Sequence, residues 1–168
     1  MHVDYLFKKA LKVLASLNEE EKSELETACL GIKSSQNDLL AAADGAMAIC
    51  TETCRGLCCK NLDLDTVFTL WDFIYILSIV PEVKTSVAEH LAPWSTPSGP
   101  APCPFLKNGD GPCLFPGDVK PELCAVTFCS TQDNFKKEIR RVSLGFFLLA
   151  CRVQWWRGKK ISKVFVPG

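Results

Sequence analysis

Histidine is scarce in this chain of 168 residues: His2 and His90 are the only two. A metal site built on imidazole is therefore excluded, and any mononuclear site must be mostly or wholly sulfur. No apolar run reaches the roughly 18 residues that a membrane-spanning helix requires, because charges interrupt each of them first. Net charge is also missing. The 19 Lys and Arg balance the 19 Asp and Glu, so no global field draws the chain toward nucleic acid or anionic lipid. There is no glycine-rich phosphate loop, no G-x-G-x-x-G and no Cys-x3-Cys-x2-Cys of the kind found in radical enzymes that cleave S-adenosylmethionine. Internal repeats and domain-separating linkers are absent too. The stretch Met1 to Leu17 carries Lys8, Lys9 and Lys12 among its apolar positions and lacks a small-residue cleavage site, which argues against a signal peptide and predicts a cytoplasmic protein.

What the chain does have is cysteine, ten in all, together with 48% hydrophobic residues, enough to bury a real core. Thiols in a reducing compartment are more often metal ligands or catalytic groups than disulfides. Charge is distributed unevenly. From Thr131 onward nine Lys or Arg face only Asp133 and Glu138, a local excess of +7, so a basic surface can exist without a net charge.

The hydrophobic pattern predicts a mainly α protein, a single helical domain over residues 1–168 with a proline-rich, metal-pinned loop. Val3, Leu6, Phe7, Ala10, Leu11, Leu14 and Leu17 form an amphipathic stripe that should end near Asn18. Glu19 to Glu21 open a second helix through Leu25, Ala28, Cys29 and Ile32. Ser35 with Asp38 resembles a capping pair for a third helix running toward Ile49. Leu64 to Val80 reads as one buried helix stopped by Pro81, with a strand as the alternative for part of it because Phe73, Ile74, Tyr75 and Ile76 are β-branched or aromatic. From Pro93 to Pro121 eight prolines and four glycines block helix and ladder alike. Such a long irregular segment should be pinned by something. Finally Phe135, Ile139, Val142, Phe146, Leu149, Val153 and Trp156 predict a long helix capped by Ser130 or Thr131. On that helix Trp156 should complete the core stripe and Trp155 should be surface.

Eight cysteines fall into two groups within residues 50–129. The first is Cys50-x3-Cys54-x3-Cys58-Cys59. In a helix that spacing points three sulfurs along one face; alternatively Gly56 breaks the helix and the chain wraps the ion. The second is Cys103, Cys113, Cys124 and Cys129. Thiolate is a soft donor suited to zinc, cuprous copper and iron-sulfur clusters. The pairs match zinc-ribbon spacing only loosely. Cys29 and Cys151, each among apolar neighbours, are better explained as core residues. His90 is an outside candidate ligand that reads more simply as an ordinary exposed histidine near a helix end. Asp63 and Asp65 could serve as acid-base groups but read more simply as helix-start carboxylates. Thiolate zinc sites contribute on the order of 10 to 16 kcal/mol, against roughly 5 to 15 kcal/mol for the net stability of a domain. Loss of metal is thus expected to disorder the proline-rich loop.

These residues resemble the YkgJ-type cysteine-cluster family, described as zinc- or iron-chelating domains. The family pattern of closely spaced cysteines ending in Cys-Cys, an apolar helical segment, Cys-Pro-Phe-Leu, a cysteine after a glycine-containing turn, and Arg-Pro-x-x-Cys looks like Cys50, Cys54, Cys58-Cys59, Cys103-Pro104-Phe105-Leu106, Cys113 and Lys120-Pro121-Glu122-Leu123-Cys124, with Cys129 following. It covers a little under half the chain. Two departures stand out: the first spacings are three and three, and Lys120 replaces arginine, which removes the bidentate fork of a guanidinium. The resemblance implies a zinc or iron centre, an iron-sulfur cluster included, and names no reaction. Related domains occur in flagellin lysine methylases, so a metal-dependent lysine N-methylase or redox enzyme is the second reading. An interaction module using the basic C-terminal helix, with its Trp155-Trp156-Arg157-Gly158-Lys159-Lys160 end, is the third. A metal ion is the expected partner, nucleic acid is not, and a protein partner would use that helix.

Overall fold

The computed structural model describes residues 3–43, 57–93, 101–107, 112–127 and 135–164. These residues are mainly helical, and their only pairings of strand type are two isolated bridges, Leu62 with Ala101 and Leu106 with Cys113. The helices are α1 (Val3–Ala15), α2 (Glu19–Ala42), α3 (Leu64–Val67), α4 (Leu70–Ile79), α5 (Val83–Leu91), α6 (Glu122–Val126) and α7 (Lys136–Val164), with a 3-10 turn at Cys58–Lys60.

At the centre lies α4, where Phe73, Ile74, Tyr75 and Ile76 are all inaccessible to solvent. A helix apolar on every side must be enclosed on every side, and α1, α2 and α7 pack around this one. α1 contributes Val3, Leu6, Phe7, Ala10 and Val13, and Phe7 meets Phe73 edge to face at 5.6 Å.

The most extensive helix contact is between α2 and α7. Leu25, Cys29, Ile32, Gln36 and Leu39 on α2 are buried, as are Val142, Phe146, Leu149, Val153 and Trp156 on α7. Both series step by four and three residues, the seam of a coiled-coil pair. Three contacts fix its direction. Arg141 bonds Asp38 at 3.1 Å, Gly145 lies against Ile32, and Arg152 donates to the Glu24 carbonyl at 3.2 Å. The helices therefore run antiparallel. Gly145 permits the close approach: a Cβ there would sit 2.8 Å from Ile32 Cγ1.

Several sequence expectations need correction. α1 stops at Ala15 rather than near Asn18, because Asn18 caps α2 in a reciprocal box with Glu21. No third helix starts at Ser35. α2 runs on to Ala42, Ser35 Oγ donates to the Gly31 carbonyl within it, and Asp38 is engaged with Arg141. The buried run from Leu64 to Val80 is two helices, interrupted at Phe68 and Thr69. Thr69 and Asp72 form a capping box that starts α4 afresh, and the strand alternative is not adopted. Cys151 is exposed, not core, whereas Cys29 is fully buried. Trp156 is buried and Trp155 exposed, as the stripe predicts. α5 has no counterpart in the sequence reading. The caps proposed at Ser130 and Thr131, and the stretch toward Ile49, lie outside the described residues. Among the described residues no helix is long and apolar enough to cross a membrane.

Candidate metal centre

The end of the first cysteine cluster is joined to the start of the second by the backbone. Leu62 exchanges both hydrogen bonds with Ala101, at 2.9 and 3.0 Å, and Cys103 N–H donates to the Cys59 carbonyl at 2.8 Å. Cys103-Pro104-Phe105-Leu106 is a turn, closed by Leu106 N–H on the Cys103 carbonyl at 3.2 Å. Its anchor is Phe105, inaccessible to solvent and packed on Phe68 at 5.1 Å and Phe115 at 4.9 Å. Beyond the turn Leu106 pairs with Cys113, and Leu114 N–H donates to the Phe105 carbonyl at 2.7 Å. An aromatic pin and a short antiparallel clasp thus hold Cys59, Cys103 and Cys113 in one neighbourhood.

Cys124 arrives by a different device. Gln36, on the buried stripe of α2, takes both backbone groups of Lys120: its Nε2 donates to the carbonyl at 2.8 Å and its Oε1 accepts from the N–H at 2.9 Å. Asp72 is 1% exposed. One carboxylate oxygen accepts from Thr69 N–H and Oγ1–H at 2.7 and 2.6 Å, and the other accepts from Glu122 N–H at 2.7 Å. Lys120-Pro121-Glu122 is therefore locked on both sides of the proline. α6 begins directly after Pro121 and carries Cys124. Lys120 Nζ is turned back on the Phe115 carbonyl at 2.7 Å, so here the motif lysine braces the loop. The proline-rich segment is pinned by protein groups, Phe105, Phe115, Gln36 and Asp72, which the sequence reading did not identify.

Electrostatically Cys103 and Cys124 sense their neighbours. Burial pushes the Cys103 thiol up to about 12; the Phe105 backbone hydrogen bond lowers it, Cys113 and Cys59 raise it by charge, and Lys120 lowers it. Cys124 is also raised, first by protein crowding and then by Cys103, Cys113, Cys59 and Asp72. By surface area Cys124 is nonetheless exposed, and that accessible area governs which ions and reagents reach it. Cys58, Cys59 and Cys124 line a cavity of about 130 Å³ together with Leu62 and Val67. Neighbouring thiols form a donor set whose ionisation a divalent ion would favour, because a coordinated thiol is deprotonated outright. As the side chains lie, no three Cys, His, Asp or Glu among the described residues are gathered closely enough to hold an ion. The donor chemistry of thiols is that of a soft-metal site.

Of the eight predicted ligands, Cys59, Cys103, Cys113 and Cys124 share this neighbourhood. Cys58 is exposed at the cavity rim. Cys50, Cys54 and Cys129 lie outside the described residues. His90 lies near the end of α5, as its simpler reading has it, but is half-buried rather than exposed, its Nδ1 2.7 Å from the Ser86 carbonyl. Asp63 is exposed just ahead of α3. Cys29 stands apart between helices, pushed up to about 12 by burial and partly lowered by a Ser78 hydrogen bond. Gln36 and Asp72 escaped the sequence reading. Thr69-x-x-Asp72 carries a capping-box spacing, and Gln36 interrupts the apolar positions of α2, so each left a local signal. Compared with family models, with curated proteins and with solved structures, the chain finds no significant match.

Proposed function

We propose that this chain binds a soft metal, zinc or iron, an iron-sulfur cluster included, through the thiolates of Cys59, Cys103, Cys113 and Cys124. Cys50, Cys54, Cys58 and Cys129 are the reserve from which further ligands come. The observation that carries the proposal is the backbone clasp that joins Cys59, Cys103 and Cys113 from two stretches distant in sequence, with Cys59 and Cys124 lining one cavity. In support, the polar groups buried in the core are spent on the loop that bears Cys124. Gln36 and Asp72 are the two buried polar side chains among the described residues, and both hold the Lys120-Pro121-Glu122 backbone. Membership of the YkgJ-type family belongs to the same proposal and rests on the quoted motifs. Purification without oxygen, followed by elemental analysis and a visible absorption spectrum, tests it. Stoichiometric zinc in colourless protein, or iron with broad visible absorption, is the expected result. Intact thiols with every metal far below stoichiometric would overturn it.

A further inference from the structure

α7 has a second apolar face. Opposite its buried stripe, Leu144, Phe147, Leu148, Cys151 and Trp155 recur at helical intervals, about half a turn of the helix away from the core. All five are exposed, Phe147 by 63% and Trp155 by 64%. Phe147, Cys151 and Trp155 continue into an apolar groove of about 740 Å³ shared with Trp71 of α4. Exposed apolar side chains occur singly on most proteins; a continuous stripe with an adjoining groove marks a surface that meets something.

The charge of the same helix says what. α7 carries nine Lys and Arg against Glu138, a net +8, so the rest of the chain carries −8. Arg140 and Arg152 are exposed beside the apolar stripe. Lys136, Lys137 and Arg140 are exposed on this helix, so two copies meeting through it would bring like charges together. An anionic surface would complement it, and aromatic and leucine side chains flanked by arginines are the composition of helices that lie in a membrane interface. We propose that α7 docks this chain on an anionic bilayer, lying in the headgroup plane with Phe147, Leu148 and Trp155 inserted. The proposal is independent of the metal reading, because none of the residues that line the groove lines the cavity of Cys58, Cys59 and Cys124. The zero net charge of the whole chain does not oppose it, since screening confines the field that matters to about 10 Å.

The test is co-sedimentation of the full, reduced chain with vesicles of phosphatidylcholine alone and of phosphatidylcholine with phosphatidylglycerol. Binding is expected only to the anionic vesicles at low salt, is lost near ~0.5 M salt, and shifts tryptophan emission to the blue unless Trp155→Phe is present. Phe147→Ser lowers partitioning about tenfold or more, and Arg140→Gln about fivefold. Unchanged thermal melting shows that these exposed variants fold. No binding by folded protein at low salt, equal binding to neutral vesicles, binding indifferent to Phe147→Ser, or a dimer that buries Trp155 instead would each overturn the proposal.

Discussion

Gln36→Met removes the two hydrogen bonds that hold Lys120 while keeping an unbranched side chain of similar volume on the α2 stripe. Gln36 is 2% exposed and its bonds are 2.8 and 2.9 Å long. Leaving a buried backbone donor or acceptor without its partner costs about 1 to 3 kcal/mol each. Lys120 is half-buried, so water recovers part of that, and a total near 2 kcal/mol is expected, offset slightly by burying a thioether in place of an amide. For a domain of this length that corresponds to a fall in Tm of about 4 to 8 °C. Thermal and urea unfolding followed by circular dichroism measure it. A second readout is local: with the Lys120 backbone released, Cys124 should react faster with a thiol reagent while buried Cys29 does not. If Gln36→Met melts within about 1 °C of the parent and leaves Cys124 reactivity unchanged, Gln36 is not the strut inferred here.

Three further outcomes follow from the same coordinates. Gly145→Ala should destabilise by about 1 to 2 kcal/mol, because overpacking against Ile32 outweighs the helix propensity gained; the loss should shrink in an Ile32→Ala background, as urea unfolding of the four proteins would show. Burial raises Asp72 from 3.8 to about 6 despite the hydrogen bonds from Thr69 and Glu122 that lower it. The folded state therefore holds that proton more tightly, and the stabilisation is full below about 4 and lost as pH rises through about 6, a difference on the order of 3 kcal/mol. Asp72→Asn should accordingly gain stability relative to the parent across that window, and parallel curves would refute the assignment. Finally, Cys59→Ser, Cys103→Ser and Cys124→Ser should each lower bound metal, whereas Cys29→Ala and Cys151→Ser should not, as elemental analysis of each variant would reveal.

Much of the helical frame was legible in the sequence because burial imposes a period. The stripes of α1, α2 and α7 follow it, and Trp155 and Trp156 fall on the sides it predicts. Where a segment is buried on every side, as α4 is, the period vanishes. α3 and α4 therefore read as one helix, and only the Thr69 to Asp72 spacing betrayed the break. Cys151 was misjudged because α7 is apolar on two faces, so apolar neighbours did not imply a core position. A set of eight candidate cysteines in two groups was legible from the spacing, without Cys59, Cys103, Cys113 and Cys124 being singled out within it. The means of assembling it was not, since the bonds from Gln36 to Lys120 and from Asp72 to Glu122 span 84 and 50 residues and leave no local pattern.

The most direct test of the central claim is differential alkylation, comparing the reduced, metal-free chain with the same chain after zinc or ferrous iron is added, each thiol located by mass spectrometry. Convergence on one cation predicts that Cys59, Cys103, Cys113 and Cys124 become protected together while Cys151 stays reactive. Uniform labelling in both samples, or cystines linking these residues in pairs in the native protein, would contradict it.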